Sequence, residues 1–379
     1  MLWLSLFLVG FVPVCLEAKV HEFSVEVRAS PGEAVLVVGS AEELGAGDPL
    51  RAVMLAPQGE GKWGGKIRLP AETAGTYQYL RRKTGAKDFE DPKNAVLLGK
   101  PRVMREVEGG RKAQFNQLAG KGKVEAPKYL ESPLKEFPGR RIRVWLPPGY
   151  EGGKERYPVV YFHDGQNVFD PGGPFGSWSA DKVAEEEMRS GRVRPAILVA
   201  VDNTPDRVRE YLPPPDVVPE GRPAPGEIGR ADLYARYLLE VVKPYVDRTY
   251  RTLSERENTL VLGSSMGGVV SHYLLESRGD SFSAAGVFSP AYWASPKFFS
   301  KSLNKPMPDG RIYLDMGTRE GRSYWPDVLR IYQHWVTGGA VILGDLWFQP
   351  GICAEHNEKA WKDRLPKALQ FLLPLEVRN

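Results

Sequence analysis

A serine at position 265 lies in the stretch G-S-S-M-G (263–267), which has the G-x-S-x-G spacing of a nucleophile elbow. The apolar run 259–262 before it is typical of a buried strand, and 269–275 after it is typical of a helix. Flanking glycines allow a strand and a helix to pass close to a strained serine. The pattern predicts an exposed Ser265 hydroxyl at a helix N-terminus, where the N–H of Met266 favours developing negative charge. A plain glycine-rich turn is the alternative interpretation.

A serine hydroxyl becomes a nucleophile when a base removes its proton and an acid orients that base. Of the five histidines, only His334 and His356 follow both the elbow and a further strand. His356 lies in the loop between the predicted strand 340–348 and a closing helix, where the base is needed. Since His334 lies in a helical run and is more consistent with packing, His356 is the predicted base.

The acid is expected between the nucleophile and the base in the chain, after a strand. Glu320 lies just past the end of the predicted strand 311–316 and is the predicted acid. Asp315 competes for the role, but it lies inside that strand, where its side chain would more readily pair with structural partners. The predicted constellation is therefore serine, histidine and glutamate.

The oxyanion formed during nucleophilic attack needs a second backbone N–H beside that of Met266. This donor usually comes from the loop after an early strand of the sheet. Here the strand 158–162 runs into H-D-G-Q-N, and Gln166, which follows a glycine, is the predicted donor. His163 and Asp164 carry metal-ligand side chains, but no second cluster accompanies them. We therefore expect structural hydrogen bonding there, with no metal and no cofactor.

Three aromatic residues are candidates for the substrate pocket. Tyr211 lies in a long Pro-rich loop that we expect to reach the cleft. Tyr292 and Trp293 follow the end of the predicted strand 284–288 and could line an acyl or alcohol pocket. Each is as consistent with packing as with substrate recognition.

The second part of the chain alternates apolar strand runs with helical stretches, beginning with a predicted edge strand at 141–146. The helical spacing in 232–250 and the amphipathic stretch 358–372 are typical of helices. This alternation predicts an α/β fold with a mostly parallel sheet covered by helices on both faces. Ligands of such sheets bind beyond the carboxyl ends of the strands, where Ser265 would lie.

The first part of the chain, from Val20 to about Met104, has a period of two and frequent turn signals, which predicts a small β-sandwich. Its blocks V-L-V-V-G-S-A-E-E-L-G-A-G-D-P, G-K-W-G-G-K-I-R-L-P, T-Y-Q-Y-L-R-R and F-E-D-P-K-N resemble the starch-binding type of carbohydrate-binding module. That family stacks two exposed tryptophans on glucose. The resemblance places Ala46 and Gly47 at one of these positions and Phe89 near the other. Weak glycan binding and a purely structural role are both consistent with this pattern.

The predicted boundaries are a signal peptide at 1–18, the sandwich at 19–107, a polar linker at 108–128 and the α/β domain at 129–379. The apolar run 1–18 ends at a small residue, and we expect cleavage after Ala18 and a secreted or periplasmic protein. A membrane anchor or a misassigned start codon are the alternatives. No other stretch is a transmembrane candidate, so stable membrane insertion is not expected.

The chain of 379 residues is long enough for two domains, and its net charge of +4 is small and dispersed. This charge gives no indication of a nucleic-acid partner. Only two cysteines occur, and Cys353 would have no partner once the signal peptide is removed. Disulfides are therefore not expected to stabilise the fold.

Six blocks of the second part occur in the order found in one esterase family, which takes in enterochelin esterase-like enzymes, feruloyl esterases, S-formylglutathione hydrolases and mycolyltransferases. They are Y-P-V-V-Y-F-H-D-G-Q-N-V-F-D, V-D-N-T-P-D-R-V-R-E-Y-L-P, G-S-S-M-G-G, F-S-P-A-Y-W, L-D-M-G-T-R-E-G and E-H-N-E-K-A-W. The resemblance covers roughly Lys128 to Leu373. It implies an α/β-hydrolase fold, with Ser265 as nucleophile, His356 as base and Glu320 as acid. Many members carry aspartate where this chain has glutamate.

The predicted function is a serine carboxylic-ester hydrolase working through an acyl-enzyme. An acyltransferase would use the same three residues with a sugar hydroxyl in place of water. A non-catalytic glycan-binding protein is the alternative from another class. The expected partner is a small-molecule or glycan-linked ester, with feruloyl, acetyl, siderophore and simple short-chain esters all open.

Overall fold

The computed structural model describes residues 18–70, 73–104, 118, 120–135, 137–321 and 324–375. The predicted signal peptide lies outside the described residues except for Ala18, as do 108–117 and 119 of the predicted linker. The strands are β1 (Ala18–Glu26), β2 (Glu33–Gly39), β3 (Val53–Met54), β4 (Ala56–Pro57), β5 (Lys62–Pro70), β6 (Gly75–Lys83), β7 (Ala95–Met104), β8 (Lys123–Val124), β9 (Lys128–Leu130), β10 (Arg140–Leu146), β11 (Val159–Phe162), β12 (Ile197–Val201), β13 (Thr259–Ser264), β14 (Ala284–Phe288), β15 (Arg311–Gly317) and β16 (Leu346–Gly351). The helices are α1 (Ala180–Arg189), α2 (Arg207–Tyr211), α3 (Ala231–Tyr237), α4 (Lys243–Thr249), α5 (Met266–Ser277), α6 (Pro296–Ser302), α7 (Trp325–Thr337) and α8 (Glu358–Leu372).

The N-terminal part is a β-sandwich, as predicted. One sheet has the strand order β1-β5-β4 and the other β3-β2-β6-β7, and all their pairings are antiparallel. Leu36 and Leu80 face each other in the β2–β6 register and are fully buried. Trp63 on β5 is also buried, in agreement with the packing position that the resemblance gave it. Burial of these apolar side chains between the sheets is the main favourable contribution to this domain.

The C-terminal part contains the mostly parallel sheet that the alternating pattern predicts. Its order is β16-β15-β14-β13-β11-β12-β10-β8, and all pairings from β12 to β16 are parallel. Val160 and Phe162 of β11 pack on the α1 and α8 side, whereas Val159 and Tyr161 pack on the α3, α4 and α5 side. This alternation, with both side-chain sets buried, is the signature of a sheet covered on both faces.

The strand β10 was predicted to lie at the edge of the sheet, and this prediction is wrong. Residues 123–128, assigned to the linker from their composition, contribute β8 and the first residue of β9, and both strands pair antiparallel with β10. Their few backbone hydrogen bonds cover an edge that would otherwise expose unpaired N–H and C=O groups. A polar composition does not reveal this pairing, because the contacts that stabilise it lie on the neighbouring strand.

The predicted strand 340–348 is also wrong in its first half, since the strand β16 begins at Leu346. The apolar residues before it form a turn that reaches the sandwich. There the backbone of Ile342 accepts a hydrogen bond from Arg68 N at 2.9 Å and donates one to Lys66 O at 2.8 Å. Ile342 is buried, and its side chain lies close to Gly65 of β5. The apolar run reflects burial between two domains, which sequence periodicity cannot distinguish from burial in a strand.

Further side chains of the α/β domain donate hydrogen bonds to the sandwich. The Tyr332 hydroxyl on α7 donates to Met54 O at 2.7 Å, and the Trp325 indole donates to Thr84 O at 2.5 Å. Both aromatic rings are buried. The two domains are therefore joined by apolar contacts with satisfied polar groups. Within the described residues, no helix is long and apolar enough to cross a membrane.

The histidine on α5, His272, is fully buried and lies against Phe298 and Trp335. Its Nδ1 lies 3.1 Å from the hydroxyl of Tyr292, and its Nε2 lies 3.7 Å from Glu276. Burial lowers the pKa of His272 from 6.5 to about 4, although the charge of Glu276 acts to raise it. The unfolded chain therefore binds a proton here at a higher pH than the folded chain does.

We predict that this histidine makes the fold sensitive to acid. As the pH falls from 6.5 to about 4, only the unfolded chain protonates His272, so the free energy of unfolding decreases by up to about 3 kcal/mol. His272→Asn keeps a polar group near the Nδ1 position but does not titrate. Urea denaturation over this pH range should show a smaller decrease for His272→Asn than for the wild type. Equal decreases would contradict the prediction.

Candidate active site

Ser265 occupies the sharp turn between β13 and α5, with φ of 58° and ψ of −119°. A positive φ is uncommon for a residue with a Cβ and indicates backbone strain that the surroundings must hold. The glycines around it allow close packing. A Cβ on Gly263 would lie 2.8 Å from Gly267 O, and one on Gly268 would lie 2.7 Å from Phe288 O. The predicted strand–turn–helix arrangement is therefore present, and the G-x-S-x-G spacing has a steric cause.

The backbone of Ser265 is fixed on both sides by the neighbouring strand. Its N–H donates to Phe288 O at 3.0 Å, and its carbonyl accepts from Ala291 N at 3.1 Å. Ser265 is partly exposed, in contrast to the fully buried strand that precedes it. As the first residue of α5, Met266 has a backbone N–H that lacks an acceptor within the helix. The turn thus presents a hydroxyl next to a helix N-terminus.

His356 and Glu320, which lie in the loops after β16 and β15, meet directly. The distance between His356 Nδ1 and Glu320 Oε2 is 2.8 Å. The Glu320 side chain is fully buried, whereas 28% of the His356 side chain is exposed. An ionised carboxylate can only accept, so this contact places a proton on Nδ1 and leaves Nε2 available as a base. Both loops follow strands on the β14 side of β13, at the same edge of the sheet as Ser265.

The other oxygen of Glu320 is held by three donors. Oε1 accepts from Gly317 N at 2.7 Å, from the Ser289 hydroxyl at 2.7 Å and from Arg364 at 3.2 Å. The Ser289 hydroxyl in turn accepts from the indole of Trp361 at 2.9 Å. Trp361 also packs edge-on against the ring of His356, with ring centroids 5.0 Å apart. The orientation of Glu320 is therefore fixed from three directions, and His356 packs against the same group of residues.

Asp315, the competing candidate, contacts structural partners rather than a histidine. Its carboxylate accepts from Arg364 Nε at 2.7 Å and from Ser289 N at 3.0 Å, and its side chain is fully buried. Arg364 thus lies between Asp315 and Glu320. Burial acts to lower the pKa of Arg364, but the charge of Asp315, with that of Glu320, raises it above its ordinary value. The guanidinium remains charged, and the expectation that Asp315 pairs with structural partners is confirmed.

Sequence reasoning did not identify Ser289, Trp361 or Arg364. Ser289 lies in the block F-S-P-A-Y-W, and the other two lie on α8, where the pattern indicates only an amphipathic helix. An arginine on such a helix is ordinarily solvated. The one signal in the sequence was the spacing of Arg364 from Trp361 and Leu365, which places Arg364 next to the buried face of the helix.

Gln166 lies in a short turn of 3₁₀-helix (Gly165–Asn167) directly after β11. Its side-chain oxygen accepts from Asn203 N at 3.2 Å, which fixes the turn to the loop after β12. Asn167 donates to Glu358 at 3.0 Å, at the start of α8 and two residues after His356. The turn that carries the predicted oxyanion donor is therefore attached to the segment that carries the base.

His163 and Asp164 have structural roles, as expected. His163 Nδ1 lies 2.8 Å from the hydroxyl of Tyr234, and burial lowers the pKa of His163 to about 3. Asp164 pairs with Arg207 through contacts of 2.6 and 2.7 Å. Within the described part of the chain, no group of three or more His, Cys, Asp or Glu side chains could hold a metal ion. His334 lies on α7, with Nε2 2.7 Å from Lys305 O, away from the elbow.

The three aromatic pocket candidates differ in exposure. Tyr211 is fully buried at the end of α2, where its hydroxyl accepts from Asp164 N at 3.1 Å. Tyr292 is 1% exposed and contacts His272. Neither ring presents a surface to a substrate, so the structure favours packing for both. The predicted loop position of Tyr211 is wrong, because Tyr211 is the last residue of α2. Trp293 is 38% exposed and lies edge-on to Tyr324, which lies 5.5 Å from the His356 ring.

Residues 138–372 match the model of the esterase family described as "Putative esterase". The chain belongs to this family. It is therefore an esterase of the carboxylic-ester hydrolase type. Residues 18–100 match the starch binding domain, in agreement with the resemblance of the sandwich.

Two curated relatives and one solved structure illustrate the range of similarity. "Uncharacterized protein YbbA" of Bacillus subtilis (strain 168) is 23% identical over 188 residues, 48% of this chain and 70% of that protein. "Endo-1,4-beta-xylanase/feruloyl esterase" of Xylanibacter ruminicola is 21% identical over 270 residues, 69% of this chain but only 34% of that protein. The enterobactin esterase FES from Shigella flexneri, solved in the presence of enterobactin, is 14% identical with a TM-score of 0.51, covering 94% of this chain and 93% of that one. This last likeness concerns the fold and extends over both domains.

In the sandwich, the residue nearest to one of the two expected sugar-stacking positions is buried. Phe89 is 1% exposed and packs against Trp325 of the α/β domain, with ring centroids 5.5 Å apart. A ring must have a free face to stack on a sugar. Phe89 therefore lacks the free face that glycan stacking requires, and Ala46 and Gly47 at the other position have no ring.

Replacement of Arg364 tests the charge balance of this site. Arg364→Met leaves Asp315 and Glu320 buried without their cation, so we predict a loss of about 3–5 kcal/mol in the free energy of unfolding. Lys359→Met on the same helix is the control, because it breaks only an exposed pair with Asp363 and should change stability by less than about 1 kcal/mol. Guanidinium denaturation measures both values. Similar small losses in the two variants would contradict this assignment.

Proposed function

We propose that this esterase hydrolyses carboxylic esters with Ser265 as nucleophile, His356 as general base and Glu320 as the acid that orients the base. The observation that carries the proposal is the 2.8 Å contact between the partly exposed His356 and the fully buried Glu320, at the sheet edge where the strained Ser265 lies. A serine hydrolase needs a nucleophile, a base that contacts the nucleophile and an acid that contacts the base. Family membership supports the same assignment.

In the proposed reaction, Ser265 Oγ attacks the ester carbonyl while its proton passes to His356 Nε2. The N–H groups of Met266 and Gln166 stabilise the oxyanion. The carbon–oxygen bond to the alcohol then breaks, and His356 transfers its proton to the leaving oxygen. Water attacks the acyl-enzyme, gives a proton to His356, and the acid product leaves as Ser265 regains its proton.

Glu320 contributes by keeping His356 in one tautomer and by stabilising the imidazolium that forms in both steps. Its burial matters because charge stabilisation is larger where water is excluded. Gly317, Ser289 and Arg364 keep the carboxylate in place before the reaction begins, so no reorganisation is required when His356 becomes charged.

The substrate that we propose is an ester with an aromatic or sugar-linked component. Trp293 and Tyr324 form an aromatic surface that extends from the ring of His356 to solvent. Aromatic surfaces bind phenolic groups and sugar rings by stacking. The names of the related proteins, a feruloyl esterase and an enterobactin esterase, are consistent with such a substrate.

Hydrolysis of p-nitrophenyl acetate, p-nitrophenyl butyrate and methyl ferulate tests the proposal. We predict that Ser265→Ala and His356→Ala each lower kcat by about 10³-fold or more, because each removes a group that takes part in bond formation or proton transfer. His334→Ala is the control and should retain nearly full activity. Ser265→Ala with an unchanged rate would refute the proposal.

The identity of the acid is decided by comparing Glu320→Gln with Asp315→Asn in the same assays. Glu320→Gln should lower kcat by about 10²–10⁴-fold, since an amide cannot enforce the required tautomer of His356. Asp315→Asn should change kcat by less than about tenfold. The opposite order of effects would assign the acid role to Asp315.

A further inference from the structure

A short segment of the sandwich (Asp88–Glu90), between β6 and β7, is held rigidly from inside that domain. Arg82 on β6 is fully buried and donates to the carbonyl groups of Phe89 and of Pro49. Its guanidinium lies 4.3 Å from the centre of the Phe89 ring. A buried arginine with few partners is costly, and here its donors are directed at the backbone of this segment. The segment is therefore a fixed part of the sandwich surface.

The same segment is docked on the α/β domain. Phe89 is enclosed between Arg82 on one side and Trp325 of α7 on the other. Trp325 packs in turn against Phe348 of β16, with ring centroids 6.0 Å apart. These ring contacts position the next residue, Glu90, over the loop that follows β15.

Glu90 binds the two residues that immediately precede the proposed acid. Its carboxylate accepts from the Thr318 hydroxyl at 2.6 Å and from Arg319 at 3.2 and 3.4 Å. Thr318 is buried, so this hydrogen bond is shielded from water. The Thr318 hydroxyl, helped by Arg319, lowers the pKa of Glu90 below its usual value. Glu90 is accordingly ionised at neutral pH.

Thr318 also reaches the loop that carries the proposed base. Its hydroxyl accepts from Cys353 N at 2.8 Å, and the neighbouring Arg319 N donates to Ala354 O at 3.0 Å. Cys353 has φ of 56°, a left-handed conformation that surrounding contacts must maintain in a residue with a Cβ. One hydroxyl thus connects Glu90 of the sandwich with both loops that carry the His356–Glu320 pair.

We propose that Glu90 is a positioning residue of the esterase, supplied by the N-terminal domain, which acts through Thr318 to hold the loops of Glu320 and His356 in their productive arrangement. This inference rests on the proposed function, since it assigns Glu90 to the support of that pair. The sandwich then serves as a structural part of the hydrolytic site. The resemblance to starch-binding modules places a sugar-stacking residue near Phe89. In this protein the segment Asp88–Glu90 contacts the α/β domain at that position instead.

A second contact between the domains provides a matched control. Glu42 of the sandwich accepts from Lys367 of α8 at 3.2 Å, and its side chain is 71% exposed. This ion pair joins the same two domains but contacts neither loop of the proposed catalytic pair. Its removal therefore reports on docking alone.

The experiment compares Glu90→Ala, Glu90→Gln, Glu42→Ala and Ser265→Ala in the full chain with p-nitrophenyl butyrate. We expect Glu90→Ala to lower kcat by about tenfold with KM changed less than about twofold, because a small displacement of the pair slows proton transfer without altering ester binding. Glu90→Gln keeps an acceptor for Thr318 and should recover part of the loss. Glu42→Ala should match the wild type, and thermal melts verify that each variant is folded.

A double-mutant cycle with Thr318→Val tests the route of the effect. If Glu90 acts through the Thr318 hydroxyl, the loss in Glu90→Ala/Thr318→Val should be far smaller than the product of the single losses. The inference is overturned if kcat of Glu90→Ala stays within twofold of the wild type, if Glu42→Ala causes an equal loss, or if the two losses multiply. Should Glu90→Ala not fold, Glu90→Gln decides by the same criteria. An unaffected Ser265→Ala would instead refute the proposed function itself.

Discussion

The buried guanidinium of Arg364 is the interaction on which the arrangement of the site depends. Asp315 within β15 and Glu320 in the following loop are both fully buried, and two carboxylates cannot be ionised together in that position without a cation. Arg364 reaches both from α8. Because the segment that carries His356 leads directly into α8, the same helix supplies the charge that holds Glu320 and fixes the end of the loop that carries His356.

Around this pair, each loop at the carboxyl edge of the sheet is attached to another element. Ser265 is fixed to the end of β14, Gln166 to the loop after β12, and Asn167 to the start of α8. The loop of Glu320 is attached to the sandwich through Thr318. Positions that carry strained backbone, such as Ser265 and Cys353, lie where these attachments are dense. The site is therefore held by contacts from several parts of the chain, including the N-terminal domain.

The members of the proposed site could be selected from the sequence because they follow strands. The elbow has a local steric signature, and Glu320 and His356 could be selected by their position after a strand, since parallel strands bring their carboxyl ends to one edge. The supporting residues could not be found in this way. Tertiary packing brings Ser289 and Arg364 to Glu320 and brings Glu90 to the two residues before it. Apart from the spacing that places Arg364 next to the buried face of α8, their local sequence does not distinguish them from solvated polar residues. For Tyr211 and Tyr292 the sequence left packing and substrate recognition equally open, and only the tertiary structure shows that both rings are buried.

The fold errors have the same origin. Periodicity and composition report whether a residue is buried or exposed, but not what buries it. Ile342 lies in an apolar run because it contacts the sandwich, whereas residues 123–128 have a linker-like composition although they extend the sheet. Both segments depend on partners far away in the chain.

Covalent labelling measures whether Ser265 is an activated nucleophile. The protein should be incubated with a fluorophosphonate and the modified peptide identified by mass spectrometry, with His356→Ala and Glu320→Gln in parallel. We expect one adduct per chain, on Ser265, formed much more slowly in both variants. An unlabelled folded protein, or labelling of Ser265 that is equally fast in His356→Ala, would contradict it.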